Sequence, residues 1–264
     1  QMSRTLQKPL RVHVKIDTGM GRLGVLPERA LPLIKEIRGY PNLQMEGVCT
    51  HLASTRAEDP LVEEQTNRFE TALSDIQRAG VSVRYRHAAN SLGCLFYPRT
   101  VFNLVRPGIA AYGLMGRTFA GRGIELRPAL SLKTQVIFIK DLPADSSVGY
   151  AGTFRTRRPT RIAILPVGYN DGYSFHFSNR AQVLVKGRRV PVIGRVSMDY
   201  TTTDVTDIPG VEVGEEVVLI GRQGEESIPV EELAKIKETI PYEITCALGK
   251  RVRRIYLPDD AKTL

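Results

Sequence analysis

The sequence lacks tryptophan, and its 264 residues include only three cysteines and four histidines. Cys49, Cys94 and Cys246 lie far apart among apolar residues, unlike a disulfide framework or the paired spacing of a zinc site. No apolar run approaches the roughly 20 residues of a transmembrane helix, and the first residues do not have signal-peptide form. We therefore expect a cytoplasmic protein with no bound metal and no membrane contact.

The chain has a net charge of +9, which raises the question of nucleic-acid binding. The basic residues are spread out, apart from small clusters at 155–158, 186–189 and 250–254. No recognition motif or interleaved aromatic residue accompanies these clusters. A solvated basic face or a site for small anions is the better interpretation, and salt-dependent retention on DNA would test the alternative.

The first half of the chain predicts strands alternating with helices. Predicted strands cover 11–17, 45–51, 81–87 and 102–106, and the first two precede predicted helices at 27–38 and 60–79. This alternation is typical of parallel βα units. The strands lead to polar side chains, which would gather at the carboxyl face of a (β/α) barrel: Arg22, His51, Asn90 with Ser91, and Arg106. Four strands amount to half of such a barrel.

From about Pro128 the pattern becomes that of antiparallel strands, so we place a domain boundary near Arg127. The predicted domains are residues 1–126 and 127–264. Predicted strands of the second domain cover 130–138, 161–166, 181–185, 189–198 and 215–220, with one helix at 229–238. Lys186-Gly187 predicts a hairpin turn between two of these strands.

Arg106 stands at the end of an apolar stretch, directly before the turn Pro107-Gly108. An arginine followed by backbone N–H groups in a glycine turn suits an anionic or heteroaromatic ligand. On this pattern alone, a strand-ending arginine paired with a surface carboxylate is the stronger interpretation.

Eight motifs occur along nearly the whole chain in the order typical of one enzyme family: Lys15-Ile-Asp-Thr-Gly-Met-Gly-Arg22, Thr50-His-Leu, Ala89-Asn-Ser91, Val105-Arg-Pro-Gly-Ile109, Val148-Gly-Tyr150, Gly168-Tyr-Asn-Asp-Gly172, Gly194-Arg-Val-Ser-Met-Asp199 and Thr239-Ile-Pro-Tyr242. They closely resemble the carboxyl-terminal two-thirds of the alanine racemase family. The resemblance implies the second half of a (β/α)8 barrel that binds pyridoxal 5′-phosphate (PLP), followed by a mostly antiparallel β domain. It also implies a homodimer with shared active sites, which interconverts L- and D-alanine and supplies D-alanine for peptidoglycan.

The resemblance assigns the catalytic roles. Arg106 would face the pyridine nitrogen of PLP and, as a permanent donor, would keep that nitrogen unprotonated. Tyr150 would be one of two bases at Cα, reaching across from the partner subunit, with His51 hydrogen-bonded to its phenol. A phenol with the ordinary pKa of about 10 is a poor base near neutrality, so this role requires cationic groups close by. Without the resemblance, His51 would be a core histidine and Tyr150 a packed aromatic.

The resemblance also assigns the binding residues. The phosphate would be held by Ser91, Gly108, Ile109 and Tyr242. Substrate contacts would come from Arg22, from the backbone N–H of Met198 of the partner subunit and, in the substrate channel, from Tyr169. Supporting roles would fall to Lys15, Asn90 and Asp199; the Lys15 counterpart is carbamylated in some family members and holds Arg22.

Two features depart from the family pattern. No segment of the 264 residues resembles the motif that carries the Schiff-base lysine on the first barrel strand, and a Schiff base at Lys15 is the weaker alternative. We therefore expect the chain by itself to be inactive, with the first half of the barrel supplied by another chain or segment. Ser197 stands where many relatives have cysteine, which we interpret as tuning of the substrate pocket.

Two further interpretations stay open. One is a broad-specificity amino-acid racemase on the same scaffold, which the pocket side chains would decide. The other is a non-catalytic module for PLP binding or dimerisation. The missing lysine favours this module, whereas the joint presence of Tyr150, His51 and Arg106 counts against it.

Overall fold

The computed structural model describes residues 8–54, 56–115 and 124–257. The chain falls into two compact units, Gln1–Ala111 and Tyr112–Leu264. The units divide before the boundary near Arg127 that the strand pattern predicts. Within the described residues, no helix is long and apolar enough to cross a membrane.

The first unit is built on a three-stranded parallel sheet in the order β1-β2-β3. Its elements are β1 (Leu10–Lys15), α1 (Pro27–Arg38), β2 (Leu43–Cys49), α2 (Pro60–Arg78), β3 (Tyr85–His87) and α3 (Ser91–Phe96). Both long helices begin with a proline at their first position, and the Asp59 side chain caps α2 by accepting the N–H of Leu61 at 3.1 Å. These signals explain why the two helices begin where the sequence predicts.

One face of the sheet packs on α1 and α2 and forms the core of this unit. Val14 and Val48 from the sheet lie against Ile34 and Phe69 from the helices, all at most 2% exposed. Because side chains alternate along a strand, the residues between them face the other side of the sheet. That second face carries polar side chains and holds the candidate site.

The predicted fourth strand at 102–106 is wrong, because no strand is assigned there. The segment lies along β3, but the Asn103 side chain forms the hydrogen bonds that backbone groups would form in a strand ladder. It accepts the N–H of Arg86 at 2.8 Å and donates to the carbonyl of Arg84 at 2.7 Å. The N–H of Arg106 donates to Ala89 at 3.0 Å, and Pro107 has no N–H to continue the pairing.

The second unit contains antiparallel strand pairs throughout its described part. Its strands are β4 (Leu132–Gln135), β5 (Phe138–Leu142), β6 (Ser147–Val148), β7 (Phe154–Arg155), β8 (Thr160–Leu165), β9 (Gln182–Val185), β10 (Arg188–Pro191), β11 (Thr201–Asp204), β12 (Glu216–Gln223) and β13 (Glu226–Ile228). The helices are α4 (Val230–Lys237) and α5 (Pro241–Cys246). The described strands form sheets of five, three and two strands.

The hairpin turn at Lys186-Gly187 is confirmed. It joins β9 to β10, and both residues have positive φ (49° and 71°), as the two central residues of a tight hairpin turn require.

Two predicted strands of the second unit are shorter than the pattern indicates, and in the first unit the stretch predicted at 81–87 is a strand only at β3 (Tyr85–His87). The stretch 130–138 divides at the buried Val136, because β4 pairs with β12 and β5 pairs with β8 in another sheet. The stretch predicted at 189–198 ends as a strand at Pro191. Gly194 then turns the chain with φ of +71°, where an added Cβ would lie 2.9 Å from the carbonyl oxygen of Val148.

Candidate active site

The carboxyl ends of the three parallel strands bring one row of side chains together. Lys15, Cys49 and His87 are neighbours in register across β1, β2 and β3. They lie on the face opposite the apolar core. Burial raises the pKa of the Cys49 thiol, more than the nearby cations lower it, so this thiol stays protonated.

The Arg106 guanidinium is half-buried beside this row and is held by several acceptors. It donates to the carbonyl oxygens of Thr50 at 2.7 Å and Ala88 at 3.3 Å, and it contacts Nδ1 of His87. Burial lowers the pKa of Arg106 from its ordinary value. Burial, followed by the charge of Arg106, lowers the pKa of His87 to about 4. The alternative of Arg106 as a surface ion pair, which the strand-end pattern favours only when taken alone, is therefore wrong.

Ser91 and the turn after Arg106 lie against each other. The buried Ser91 hydroxyl accepts the N–H of Gly108 at 2.9 Å and that of Ala110 at 3.2 Å. The Asn90 side chain accepts the N–H of Gly93 at 3.0 Å, which fixes the start of α3. The two N–H groups are donated to Ser91, and the Ser91 O–H can itself donate to an anion next to a cationic side chain.

His51 follows β2 and is held through its backbone by a buried side chain of α2. Gln65, fully buried, donates to the carbonyl of His51 at 3.0 Å and accepts the N–H of Ala53 at 2.8 Å. Burial, then the charges of Arg106, Arg22 and Lys15, lowers the pKa of His51. The ring is therefore neutral near pH 7 and can accept a hydrogen bond.

The turn that presents Arg22 is organised by Asp17. One carboxylate oxygen of Asp17 accepts three successive backbone N–H groups, from Gly19, Met20 and Gly21, at 2.9 to 3.1 Å. These bonds, that from Gly19 first, lower the pKa of Asp17. Arg22 itself is exposed.

In the second unit, Tyr150 stands on a tight loop directly after β6. The loop packs by its backbone, since a Cβ on Gly149 would lie 3.0 Å from the backbone nitrogen of Arg195. The Tyr150 side chain is not part of this packing and is 72% exposed.

Tyr169 and Met198 lie on two loops that are bonded to each other. The N–H of Tyr169 donates to Ser197 at 3.0 Å, and the N–H of Asn170 donates to Met198 at 3.1 Å. Arg251 links the same two loops, because it contacts Asp171 through two bonds of 2.6 and 2.9 Å and Asp199 at 2.7 Å. Burial would raise the pKa of Asp171, but the bonds from Arg251 and from the Gly168 N–H lower it overall.

Tyr242 lies at the second position of α5 and is 47% exposed. Tyr169 and Met198 are similarly exposed, at 46% and 52%. The structure thus places the predicted site residues in two sets, one within each unit. The set of the first unit comprises Lys15, Arg22, His51, Asn90, Ser91, Arg106, Gly108 and Ile109; the set of the second comprises Tyr150, Tyr169, Met198, Asp199 and Tyr242.

Sequence reasoning missed the residues that hold these sets in place, chiefly Gln65, His87 and Arg251. For Gln65 a signal was present, because it is a polar residue on the apolar face of a predicted helix, between Val62 and Phe69. The bonds of His87 and Arg251 join positions 19 and 80 residues apart, which no local pattern indicates. The described residues contain no cluster of three or more His, Cys, Asp or Glu able to hold a metal ion.

Comparisons with known proteins place the fold in a class of enzymes with a barrel domain followed by a β domain. A family model described as the N-terminal domain of alanine racemase matches residues 1–116, and one described as the C-terminal domain matches residues 129–256. An alanine racemase of Symbiobacterium thermophilum is 46% identical over 254 residues, which are 96% of this chain and 67% of that protein.

Solved structures agree with these matches. Alanine racemase from Bacillus anthracis with bound L-Ala-P is 37% identical with a TM-score of 0.86, covering 95% of this chain and 65% of that one. Alanine racemase from Bartonella henselae with covalently bound pyridoxal phosphate is 31% identical with a TM-score of 0.81, covering 97% of this chain and 69% of that one.

The chain belongs to the alanine racemase family, whose members are PLP-dependent isomerases. It spans about two thirds of the length of the relatives that it matches.

Proposed function

We propose that this chain supplies most of the active site of a PLP-dependent alanine racemase, which interconverts L- and D-alanine. The observation that carries the proposal is the position of the Arg106 guanidinium, half-buried beside the turn where Ser91 meets the N–H of Gly108. Supply of D-alanine for peptidoglycan follows as the proposed role.

The residues present fit PLP by the chemistry of their donors. A phosphate takes hydroxyl and backbone N–H donors, which Ser91, Gly108 and Ile109 would provide, with Tyr242 as a fourth donor. The Gly108 N–H would exchange the Ser91 oxygen for a phosphate oxygen. A pyridine nitrogen takes one donor, which Arg106 would provide. Because a guanidinium keeps its protons at working pH, that nitrogen would stay unprotonated.

When bound, PLP supplies an electron-withdrawing ring system that weakens the Cα–H bond of the amino acid. The chain's own residues would bind the substrate and handle its proton. Arg22 and the backbone N–H of Met198 of the partner subunit would bind the alanine carboxylate, and Tyr169 would line the channel. Lys15, Asn90 and Asp199 would support these groups.

Racemisation needs one acid–base group on each face of Cα, and Tyr150 would be one of them. The low pKa of His51 keeps its ring neutral, so that it can accept the phenol's hydrogen bond. The high exposure of Tyr150 within its own unit supports its insertion into the site of a partner protomer in a homodimer.

The finer architecture is also a proposal. Residues 1–126 would form the second half of the (β/α)8 barrel and residues 127–264 the β domain. The Schiff-base lysine and the second base would lie outside these 264 residues, so the chain by itself would bind PLP without a covalent bond and would not racemise alanine. The cytoplasmic location stays a prediction.

A PLP titration with an absorbance readout tests the site. We expect saturable binding to the 264-residue chain, weakened at least about tenfold by Arg106→Met. Arg99→Met, an exposed arginine paired with Glu70, is the matched control and should bind as the parent does. Absence of saturable binding, or equal affinity in Arg106→Met, would refute the proposed cofactor site.

Borohydride reduction followed by intact-mass measurement tests the lysine assignment. We expect the 29.4 kDa chain to carry no pyridoxyl adduct. An adduct at Lys15 would contradict its supporting role.

A fusion tests the reaction itself. The segment of the Symbiobacterium thermophilum relative that precedes the matched region would be joined ahead of Gln1. We expect the fusion to form D-alanine from L-alanine and to lose at least about a hundredfold in rate with Tyr150→Phe. A fusion that binds PLP but forms no D-alanine would favour the non-catalytic module, and equal turnover of other amino acids would favour the broad-specificity racemase.

A further inference from the structure

Hydrogen bonds connect Arg106 to a histidine on the far strand of the sheet. Arg106 contacts Nδ1 of His87, and Nε2 of His87 lies 2.7 Å from Nδ1 of His13. Nε2 of His13 lies 3.9 Å from a carboxylate oxygen of Glu46. The series Arg106–His87–His13–Glu46 thus runs from the carboxyl end of the sheet towards its amino end, across all three strands.

Arg106, the first member of the series, determines which ring nitrogens of His87 and His13 carry the protons. A guanidinium has only donors, so Nδ1 of His87 must present its lone pair, and the ring proton must be on Nε2. That proton is donated to Nδ1 of His13, which must therefore also present a lone pair. The proton of the His13 ring is then on Nε2, on the side of Glu46.

The sheet makes space for His13 in a specific way. Val12 pairs with Met45 and His13 pairs with Gly47, so Glu46 is an extra residue in β2. Extra residues of this kind redirect side chains and are frequent beside active sites. A Cβ on Gly47 would lie only 2.6 Å from the His13 ring, which therefore lies directly over this glycine.

Neighbouring side chains hold the far end of the series. The His13 ring stacks on Tyr85 with centroids 5.9 Å apart. The Glu46 side chain is only 13% exposed and also pairs with Arg84 at 3.5 Å and Arg11 at 3.8 Å. The two arginines therefore offset the negative charge of the Glu46 carboxylate and hold it beside His13.

We propose that His13 is a positioning residue for Arg106. By accepting the Nε2–H of His87, it stabilises the same tautomer of His87 that the guanidinium requires. The importance of Arg106 to PLP rests on the proposed function, whereas the dependence of His87 on His13 does not.

Loss of the acceptor has a defined consequence. If position 13 cannot accept, the buried Nε2–H of His87 has no partner, and the ring relieves this by moving its proton to Nδ1. Nδ1–H would then oppose an N–H of Arg106, donor against donor, and the guanidinium would shift. The charged groups around the series are Glu46, Arg11 and Arg84 at one end and Lys15 and Arg106 at the other, with the Cys49 thiol between them.

Nitrogen NMR of the histidine rings in the cofactor-free chain tests the proposal, because only four histidines contribute. At pH 7 we expect His13 and His87 both to show the Nε2–H tautomer. His13→Phe, which removes the acceptor, should convert His87 partly or wholly to Nδ1–H. His13→Asn places an amide oxygen near the position of Nδ1 and should restore the parent pattern; the exposed His176→Phe is the control and should leave it unchanged.

A PLP titration of the same variants gives the second readout. We expect His13→Phe to weaken binding about tenfold and His13→Asn to stay within about threefold of the parent. An Nδ1–H tautomer of His87 in the parent chain would overturn the proposal, even if His13→Phe failed to fold. An unchanged His87 pattern in a folded His13→Phe would also overturn it. If the parent bound no PLP, the proposed function would fail, and the NMR result would still decide the role of His13.

Discussion

The two units present their candidate site residues in opposite ways. In the first unit, Arg106 is half-buried and Ser91 is buried, and both are bonded to atoms of that unit. In the second unit, Tyr150 and Met198 extend from backbone-bonded loops and are 72% and 52% exposed. The first set is held by bonds within its own unit, whereas Tyr150 and Met198 are fixed through their backbone, which fits the proposed contact of their side chains with another protomer.

The difference follows from the two kinds of sheet. Parallel strands end side by side, so the turns after them share neighbours, and one buried side chain such as Gln65 can bond two turns at once. Loops between antiparallel strands leave the sheet individually. Their order in the second unit depends on a few long-range links, of which Arg251 is one.

The largest effect should come from removing the buried amide of the first unit. Gln65→Leu leaves the N–H of Ala53 and the carbonyl of His51 without their partner, and we expect a loss of about 3 kcal/mol in unfolding free energy. Gln77→Leu on the exposed face of α2 is the matched control, expected within about 0.5 kcal/mol of the parent. Equal stability of the two variants, measured by denaturant unfolding, would contradict the role of Gln65.

Acid should weaken the first unit through His87. Its pKa is lowered from 6.5 to about 4, so the unfolded chain binds more protons between these values. The contribution of the neutral His87 ring to the unfolding free energy is therefore complete above pH 6.5. It is lost as the pH drops towards 4, by as much as about 3 kcal/mol.

His87→Asn removes the titrating ring and keeps an acceptor for Arg106. Denaturant unfolding of this variant should show a smaller dependence on pH between 6.5 and 4. The dependence that remains belongs in part to His51, whose pKa is lowered in the same direction. If the pH dependence of the unfolding free energy were unchanged in this variant, the pKa of His87 would be the same in the folded and unfolded chains, which would contradict the lowered value.

In the second unit the loss of Arg251 should cost less, because this side chain is half exposed. Arg251→Met leaves the nearly buried carboxylate of Asp171 without its ion-pair partner, and we expect a smaller loss in unfolding free energy at pH 7 than for Gln65→Leu. Since the pKa of Asp171 is lowered in the folded chain, the gap between parent and variant should shrink as the pH falls below about 4. Arg253→Met, two residues further along, should leave the unfolding free energy unchanged. If it lost as much as Arg251→Met, the stabilising role would not be specific to Arg251.

The smallest effects distinguish two tyrosines. The hydroxyl of Tyr97 accepts the N–H of Asp59 at 2.7 Å and donates to Arg56, so Tyr97→Phe should cost about 1 kcal/mol. The fully buried hydroxyl of Tyr173 has no hydrogen-bond partner among the described residues, so Tyr173→Phe should be neutral or slightly stabilising. Thermal unfolding of both variants decides this, and a larger loss for Tyr173→Phe would contradict it.

Local chemistry made several elements predictable. The start of α2 follows from the cap at Asp59 and the proline after it, and the hairpin at Lys186-Gly187 follows from its turn residues. The false strand at 102–106 shows the limit of periodicity. Its apolar spacing is that of a strand, but Asn103 takes over the ladder bonds and Pro107 ends them.

The sequence by itself determined the kind of each unit, because strand and helix periods, caps and turn residues act over a few positions. The candidate chemistry came from the resemblance of its motifs to one family. Only the tertiary structure decided that His87 contacts Arg106, that Gln65 bonds the turns before Arg22 and after β2, and that Arg251 joins two loops. Those contacts join residues far apart in the chain. Their energy comes from burying polar groups with specific partners, which depends on packing and not on local pattern.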